Sequence, residues 1–463
     1  MGILDDQNNN MKTFILSIIF AISISLSAQD SMNMTSLYHW EGGGEVGSSY
    51  FDNVYNEVWG YAQSGREYAI IGTTQGTHFL DITTTEEASE VDFIPGSLAS
   101  PLVIHRDYHN YNNYLYMVCQ EGSSLQIADL SYLPDSVHLV YDSNELLAGT
   151  HNIFVDTTQA ILYTVYSFVP GVNQGLWMQR IDISNPESPV LIENYTNDGL
   201  LHDLYVDDGI AILNGGTSGM SIFDYNTTPA SFLGSIDNYP GVGYNHSGYP
   251  TPDGSIYVMA DETHGSPIKI LDISDPSDIQ VLSTVTSGVH ELSIAHNQIV
   301  HENKMYSAYY YDGVYVWSIE NPENPVLLGY FDTSTLPHQD SYEGAWGVYP
   351  FLPSGKILVS DMQTGLWVLE LDVTLSATSV NEIQRLKLWP NPATTFIEID
   401  VSSFQSEVIY SILDVTGKII ISGESSFDVS LRIETSHLED GIYTIIIEDQ
   451  FFKQSGKFMV AND

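Results

Sequence analysis

One structural unit recurs seven times through most of this 463-residue chain. Each copy has an apolar strand, a loop that ends in glycine, and a second apolar strand that ends in an acidic residue or serine. The strand-ending residues are Asp81, Asp129, Asp182, Asp224, Asp272, Ser318 and Glu370, at steps of 48, 53, 42, 48, 46 and 52 residues. A period in the forties with four short strands per unit is typical of β-propeller blades, whereas tandem sandwiches need about 100 residues per unit. The sequence therefore predicts an all-β fold, with a seven-bladed β-propeller over residues 29–373.

The seventh unit lacks its last strand. After Glu370 the chain passes into a polar linker at 374–385. A strand-like stretch at Ser36–Trp40 precedes the first unit and has no place in any blade. We expect this N-terminal strand to complete the seventh blade and close the ring, because closure removes exposed sheet edges.

The N-terminal residues 1–28 are interpreted as an upstream extension and a signal peptide. Met11–Ala28 has a positive start at Lys12, an apolar stretch and a small-residue cleavage site before Gln29. Met11 is the preferred start, with Met1 as the alternative. No later segment approaches 18 apolar residues, so the mature chain is predicted to have no transmembrane segment.

The net charge and the cysteine content argue against several classes of function. Lys+Arg number 13 and Asp+Glu number 59, which gives a net charge of 13 − 59 = −46. Such a surface argues against binding nucleic acid or anionic membranes. The single cysteine, Cys119, excludes an intrachain disulfide, and its apolar strand predicts burial. An exported chain without disulfides fits a Gram-negative bacterium.

The character of the sequence changes at residue 386. Alternation of apolar and polar residues over Phe396–Val401, followed by further short strands and turns, predicts a small antiparallel β-sandwich over 386–463.

Two resemblances follow from these motifs. The Asp-Ile-Ser-Asn-Pro segment at 182–186 and Pro-Val-Leu-Leu-Gly at 325–329 resemble LVIVD-repeat propellers, and the architecture resembles the choice-of-anchor B family, which implies no established reaction. The turns at 83–85 and 131–133 depart from the repeat motif.

The tail, with Trp-Pro-Asn-Pro at 389–392, resembles the type A C-terminal sorting domain of the type IX secretion system in Bacteroidota. This resemblance implies that residues 386–463 engage the secretion machinery and that the protein is secreted or attached to the cell surface.

A polar residue of limited type lies just before the first strand of each unit. These residues are Glu57, His105, His151, His202, His246, His290 and Glu343. Because the first strand of a propeller blade lines the central channel, the sequence predicts a ring of these side chains at one mouth of the channel.

The ring permits two interpretations. Neutral imidazoles and carboxylates suit Zn, Fe, Ni or Cu, so three or four of them could bind one divalent metal ion at about 2.0–2.2 Å. Alternatively, each histidine joins neighbouring blades by hydrogen bonds, which the shared face of His202 with Leu204 and Val206 favours. The strand-ending aspartates are interpreted as turn residues that bond local backbone amides, in preference to calcium ligands.

Three functions remain open from the sequence. The first is a binding or scaffolding module for an unidentified extracellular protein or glycan. The second is a metal-dependent hydrolase or lyase centred on the His/Glu ring, and the third is a purely structural surface protein. An open cavity with an ion at the ring would favour the enzyme, and a channel filled by paired side chains would favour the binding module. No catalytic or cofactor-binding residue is assigned.

Overall fold

The computed structural model describes residues 30–42, 46–84, 88–171, 175–196, 201–334, 336–372, 388–401, 408–414, 418–425, 430–448 and 453–461. The predicted signal peptide and the predicted linker lie outside these ranges. The chain divides into two compact units, Met1–Val373 and Thr374–Asp463. Among the residues described, no helix is long and apolar enough to cross a membrane.

The first unit is a β-propeller of seven blades. Two strands precede the first complete blade, β1 (Ser31–Met32) and β2 (Met34–Trp40). Blade 1 consists of β3 (Tyr55–Gln63), β4 (Arg66–Thr73), β5 (Gly76–Asp81) and β6 (Ser89–Pro95). Blade 2 consists of β7 (Arg106–Tyr111), β8 (Tyr114–Cys119), β9 (Leu125–Asp129) and β10 (His138–Ser143). Blade 3 consists of β11 (Gly149–Asp156), β12 (Ile161–Phe168), β13 (Leu176–Asp182) and β14 (Val190–Tyr195).

The remaining blades follow the same plan. Blade 4 consists of β15 (Asp203–Asp207), β16 (Ile210–Asn214), β17 (Met220–Asp224) and β18 (Ser231–Ile236). Blade 5 consists of β19 (Asn245–Pro250), β20 (Ile256–Asp261), β21 (Ile268–Asp272) and β22 (Gln280–Val285). Blade 6 consists of β23 (Ile294–His301), β24 (Lys304–Tyr310), β25 (Gly313–Ser318) and β26 (Val326–Phe331). Blade 7 consists of β27 (Ala345–Tyr349), β28 (Ile357–Asp361), β29 (Gly365–Leu371) and the N-terminal β2.

The predicted closure of the ring is confirmed. Strand β2 pairs antiparallel with β29, from Met34 opposite Leu371 to Trp40 opposite Leu366. Strand β1 then adds to the outer edge of blade 6, where Ser31 lies opposite Phe331. The first strands of the blades contact one another in sequence, and the contact of β27 with β3 completes the circle. The N-terminal segment therefore joins the last two blades and leaves no blade incomplete.

Seven hydrophobic clusters hold the blades together, one at each interface between neighbours. Strand β8 shows how the sequence produces them. Its side chains point alternately to opposite faces of the sheet, so Leu115 and Met117 pack against blade 1 while Tyr116 and Val118 pack against blade 3. A strand that is buried on both faces of its blade therefore has a continuous run of apolar residues in the sequence.

The strand-ending aspartates form turns, as predicted. Asp182 Oδ1 accepts a hydrogen bond from Ser184 N at 2.8 Å, and Asp272 Oδ1 accepts one from Ser274 N at 2.9 Å. Asp129 and Asp224 accept the equivalent bond, each from the backbone amide two residues on. These carboxylates therefore serve the connection from the third strand to the fourth, at the end of the blade away from the predicted ring.

The second unit is a small all-β domain with two sheets. One sheet has the order β30-β31-β34 and the other β33-β32-β35-β36. Ile397, Ile412, Ile445 and Phe458 belong to its single buried core. The strands are β30 (Leu388–Trp389), β31 (Phe396–Asp400), β32 (Val408–Leu413), β33 (Ile419–Ser425), β34 (Ser430–Glu434), β35 (Gly441–Glu448) and β36 (Lys453–Val460).

Candidate functional site

A ring of six aromatic side chains surrounds one mouth of the propeller channel. Five are histidines and the sixth is a tryptophan from blade 7. Centroids of neighbouring rings lie 4.1–5.3 Å apart, and Trp346 reaches past blade 1 to contact His105. The members are His105, His151, His202, His246, His296 and Trp346.

Three of the seven predicted members, His290, Glu343 and Glu57, lie outside this ring, so their placement from sequence is wrong. His290 is exposed in the loop before β23 and stacks on His338 at 4.7 Å between centroids. Glu343 precedes β27 and accepts a hydrogen bond from the Tyr311 hydroxyl at 2.8 Å. The ring residues of blades 6 and 7 lie at β-bulges, between Ala295 and Gln298 in β23 and between Ala345 and Gly347 in β27, as His246 does in β19. These positions come 6 residues after His290 (296 − 290) and 3 after Glu343 (346 − 343).

Glu57 belongs to a second layer beneath the ring. Its Oε1 accepts from Val58 N at 2.9 Å and its Oε2 from Asn297 Nδ2 at 3.0 Å. Any side chain at Gly347 would collide with this carboxylate, because a Cβ there would lie 1.9 Å from Glu57 Oε1. Asp107 and Asp203 share the layer.

The carboxyl groups of this layer are half-buried inside the channel and favour the protonated form. Burial, together with the charge of Asp107, raises the pKa of Glu57 to about 8. Burial likewise raises the pKa of Asp107 to about 7, despite hydrogen bonds from the Ile153 and Tyr108 amides. The pKa of Asp203 is also raised by burial. Asn152 Nδ2 donates to Asp203 at 2.7 Å and so links blade 3 to blade 4.

A third layer of mainly aromatic side chains fills the channel below the carboxyl groups. Trp59 contacts His109 at 4.7 Å between ring centroids, and the series continues blade by blade through Phe154, Tyr205 and Tyr249. Tyr349 of blade 7 returns to Trp59 at 5.0 Å. The channel is therefore lined by side chains in three successive layers, with cavities of about 90 Å³ and 30 Å³ among them.

Hydrogen bonds orient the imidazoles of the ring. His202 Nδ1 faces the His246 carbonyl at 3.3 Å, and His296 Nδ1 faces the Trp346 carbonyl at 2.7 Å. His151 Nδ1 lies 2.5 Å from Gln120 Oε1, and His105 Nδ1 lies 2.6 Å from Glu121 Oε1. Because carbonyl oxygens only accept, the Nδ1 atoms beside them donate, and the lone pair remains on Nε2.

Two of the predicted histidines, His151 and His202, thus form hydrogen bonds between blades, and His296, which the sequence did not predict, forms another. Burial also lowers the pKa of His202 to about 4 and that of His296 to about 3. The pKa values of His151 and His246 are likewise lowered by burial and by neighbouring imidazoles. At neutral pH these four rings are therefore uncharged, which is the form that binds metals.

One group of side chains within the described residues has the spacing of a metal site. It consists of His202, His246 and Glu262, whose ligand atoms all lie within 4.8 Å of one another. Glu262 follows β20, and burial raises its pKa to about 7 although the Tyr310 hydroxyl donates to it. Sequence reasoning missed Glu262. The signal was present, since Glu121 follows His105 and Glu262 follows His246 by the same 16 residues.

Several large apolar side chains are exposed at the same end of the propeller. First strands begin at the histidine ring, so the loops between second and third strands, and those between blades, lie at this end. We call it the ring-end face. Its large exposed apolar residues are Val46, Tyr50, Leu102, Tyr166, Phe168, Val242 and Val289. The other large exposed apolar residues described in the propeller are Tyr132 and Ile210 at turns of the opposite end, and Leu139, Val190, Leu191, Ile192, Phe232 and Val326 on the outermost strands.

Comparisons with known proteins identify the tail. Residues 387–461 match the family model described as a secretion system C-terminal sorting domain. The tail is a secretion sorting domain. The protein is thus a β-propeller exported by the type IX secretion system to the cell surface or the extracellular space. No curated protein matches the sequence.

Two solved structures are similar to the chain. PorZ, described as an essential bacterial surface component of the type IX secretion system of Porphyromonas gingivalis, is 13% identical with a TM-score of 0.44. The match covers 91% of this chain and 61% of the PorZ chain. The β-propeller domain of Cps50 (Swd1) from Myceliophteria thermophila is 10% identical with a TM-score of 0.49, over 73% of this chain and 98% of that one.

Proposed function

We propose that the exported propeller is a binding or scaffolding module that holds an extracellular protein on its ring-end face. The observation that carries this proposal is the group of seven large apolar side chains that are exposed in the loops and strand ends of this face. Exposed apolar side chains grouped on one face of a protein mark an interaction site.

The chemistry of these side chains favours a protein over a glycan. Four of the seven are aliphatic, namely Val46, Leu102, Val242 and Val289, and Val46 is 62% exposed. Sugars stack on aromatic rings, whereas aliphatic side chains contribute to the apolar centre of protein interfaces. Tyr50, 69% exposed, supplies the amphipathic contact that is enriched at such interfaces.

The packing of the channel supports the same function. Three layers of side chains narrow the region that a substrate would have to enter along the axis, and the cavities among them are far smaller than a ligand pocket of about 300 Å³. The layers are also cross-linked between blades, as by Asn152 with Asp203 and Asn297 with Glu57. Such a channel gives the ring-end face a rigid base.

We also infer that the propeller belongs with the LVIVD repeats of the choice-of-anchor B type. The support is the turn at Asp182 and Asp272, where Asp-Ile-Ser is followed by Asn-Pro or Asp-Pro. The hydrogen bonds of these turns give the motif a structural role in every blade that carries it.

The test is binding to outer-membrane fractions of the producing bacterium from a strain that lacks this protein. A variant with Tyr50→Ser, Tyr166→Ser and Phe168→Ser changes the ring-end face, and Tyr132→Ser is the matched control at the opposite end. We expect the control to bind like the wild type and the triple variant to bind at least ~10-fold more weakly. Protease treatment of the fraction should abolish binding.

Equal binding by all three proteins would show that the ring-end face is not the docking surface. Binding that survives protease treatment but is lost after enzymatic deglycosylation would replace the protein partner by a glycan.

A further inference from the structure

We propose that His202, His246 and Glu262 bind one divalent first-row transition metal ion, with Zn²⁺ as the reference ion. The three residues come from neighbouring blades. His202 precedes the first strand of blade 4, His246 lies in the first strand of blade 5, and Glu262 follows the second strand of blade 5.

The spacing of the ligand atoms is close to what a metal ion requires. His246 Nε2 lies 3.9 Å from Glu262 Oε2, and all three ligand atoms lie within 4.8 Å of one another. Tetrahedral zinc with bonds of about 2.0–2.1 Å places its ligands about 3.4 Å apart. Small side-chain rotations therefore suffice to complete the site.

Neighbouring groups hold two of the ligands in position. The Tyr310 hydroxyl donates to Glu262 Oε1 at 3.0 Å and leaves Oε2 directed toward His246. His202 Nδ1 faces the His246 carbonyl at 3.3 Å, which leaves the lone pair of Nε2 available. Metal-binding histidines and carboxylates typically have such outer hydrogen bonds, which fix their orientation.

His246 points to a ligand independently. Its side chain is only 5% exposed, and its Nε2 faces the Glu262 carboxylate at 3.9 Å, too far for a hydrogen bond. Buried polar atoms that face each other without a hydrogen bond are unfavourable, and a metal ion between Nε2 and Oε2 would bind both atoms.

Blade 2 contains the same His and Glu positions without this arrangement. His105 and Glu121 are also 16 residues apart, but their contact runs through Nδ1 at 2.6 Å and both groups are satisfied. In blade 5 the carboxylate instead meets Nε2 at a distance that leaves room for an ion. The repeat thus contains one His–Glu pair that is hydrogen-bonded, in blade 2, and one whose facing atoms are far enough apart to hold an ion, in blade 5.

The donor set determines the class of ion. Two imidazoles and one carboxylate suit Zn, Fe, Ni or Cu, whereas Ca²⁺ and Mg²⁺ select oxygen ligands. Three protein ligands leave a coordination position open on a tetrahedral ion. Water or a group from a bound partner can occupy that position.

The test is zinc binding by the purified full-length chain after removal of metals with a chelator. Equilibrium dialysis against ZnCl₂ followed by elemental analysis gives the stoichiometry, and competition with a chromophoric chelator gives the affinity. We expect about one zinc ion per wild-type chain. Glu262→Gln and His246→Gln should each weaken zinc binding at least ~10-fold, and millimolar Ca²⁺ should not displace the zinc.

Matched controls are available on the same face. Glu343→Gln removes a carboxylate that also accepts from a tyrosine hydroxyl, and His290→Gln removes an exposed imidazole. Both should bind zinc like the wild type. Absence of zinc from the wild type, or equal zinc binding by the Glu262 and Glu343 variants, would overturn the proposal.

A second measurement covers the case in which a ligand variant fails to fold. X-ray absorption at the zinc edge of the wild-type protein should show two imidazoles and oxygen ligands. A shell of oxygens alone would overturn the assignment without any variant.

Discussion

Lys356 of blade 7 donates a hydrogen bond to Glu67 of blade 1, with 3.0 Å between Nζ and Oε2. Both side chains are buried, and the same Nζ also donates to the Ile82 carbonyl at 2.9 Å. The pair lies at the interface where the last blade meets the first. It is therefore an ionic contact across the interface of blades 7 and 1, where the ring closes.

Removing the cation of this pair should strongly destabilise the propeller. Lys356→Met leaves the Glu67 carboxylate buried without its charged partner, and we expect a loss of about 3–5 kcal/mol in the free energy of unfolding. Urea denaturation measures this free energy of unfolding. The control is Lys304→Met, which removes an exposed partner of Glu302 and should lose less than about 1 kcal/mol. Similar losses of unfolding free energy in both variants would contradict a special role for the Lys356–Glu67 pair.

The buried carboxyl groups of the channel should make the protein more stable in mildly acidic solution than in alkaline solution. The pKa values of Glu57, about 8, and Asp107, about 7, lie above those of the unfolded chain, about 4. The folded protein therefore retains protons that the unfolded chain releases. This stabilisation is fully present below pH ~4 and is lost as the pH rises through 7 to 8.

Glu57→Gln tests this linkage. The variant should lose stability less steeply than the wild type between pH 5 and 8, by at most about 1.4 kcal/mol per pH unit. Exposed Glu323 provides the control substitution, Glu323→Gln, which should leave the slope unchanged. Denaturant unfolding at a series of pH values supplies the slopes, and parallel curves for wild type and Glu57→Gln would refute the prediction.

Loss of the N-terminal strand should open the ring. A chain that begins at Glu41 lacks β1 and β2 and exposes the edge of β29 over Leu366–Leu371. Unpaired edges associate with other chains, so this protein should aggregate or form oligomers. A chain that begins at Asp30 should remain monomeric. Light scattering after size-exclusion chromatography distinguishes the two, and a stable Glu41 monomer would mean that β2 is dispensable.

Export should depend on the sorting domain. Deleting residues 387–461 removes the segment that matches the sorting-domain model, so the propeller should stay inside the outer membrane. The exported wild-type protein should lose a C-terminal fragment that begins at roughly residue 380, within the polar linker. Intact-mass analysis checks both results. Full-length Gln29–Asp463 outside the cell would argue against removal of the tail.

The fold was readable from the sequence because each blade is a local unit. The steps between Asp81 and Glu370 reflect one recurring strand, and the spare strand near Trp40 indicated how the ring closes. The periodic histidines 105, 151, 202 and 246 were located correctly at the channel mouth.

The other residues of the site depend on local strand and loop structure, which the repeat length does not predict. His296 and Trp346 occupy the ring in place of His290 and Glu343 because they, like His246, lie at the bulge of a first strand, and the lengths of the loops before β23 and β27 decide which residue that is. Glu262 meets His246 only because the end of a second strand returns beside the start of the first strand of its blade. The equal spacing of the His105–Glu121 and His246–Glu262 pairs would have revealed this neighbourhood.

The pairing of β2 with β29 also constrains when the molecule can finish folding. Met34 and Leu371 are partners although 337 residues separate them in the chain (371 − 34). Contacts between such distant residues form late, because closing long loops is entropically unfavourable. A chain that has emerged from the ribosome only as far as blade 6 leaves β2 without its partner strand. Co-translational folding therefore stops short of the closed ring until the seventh blade is synthesised.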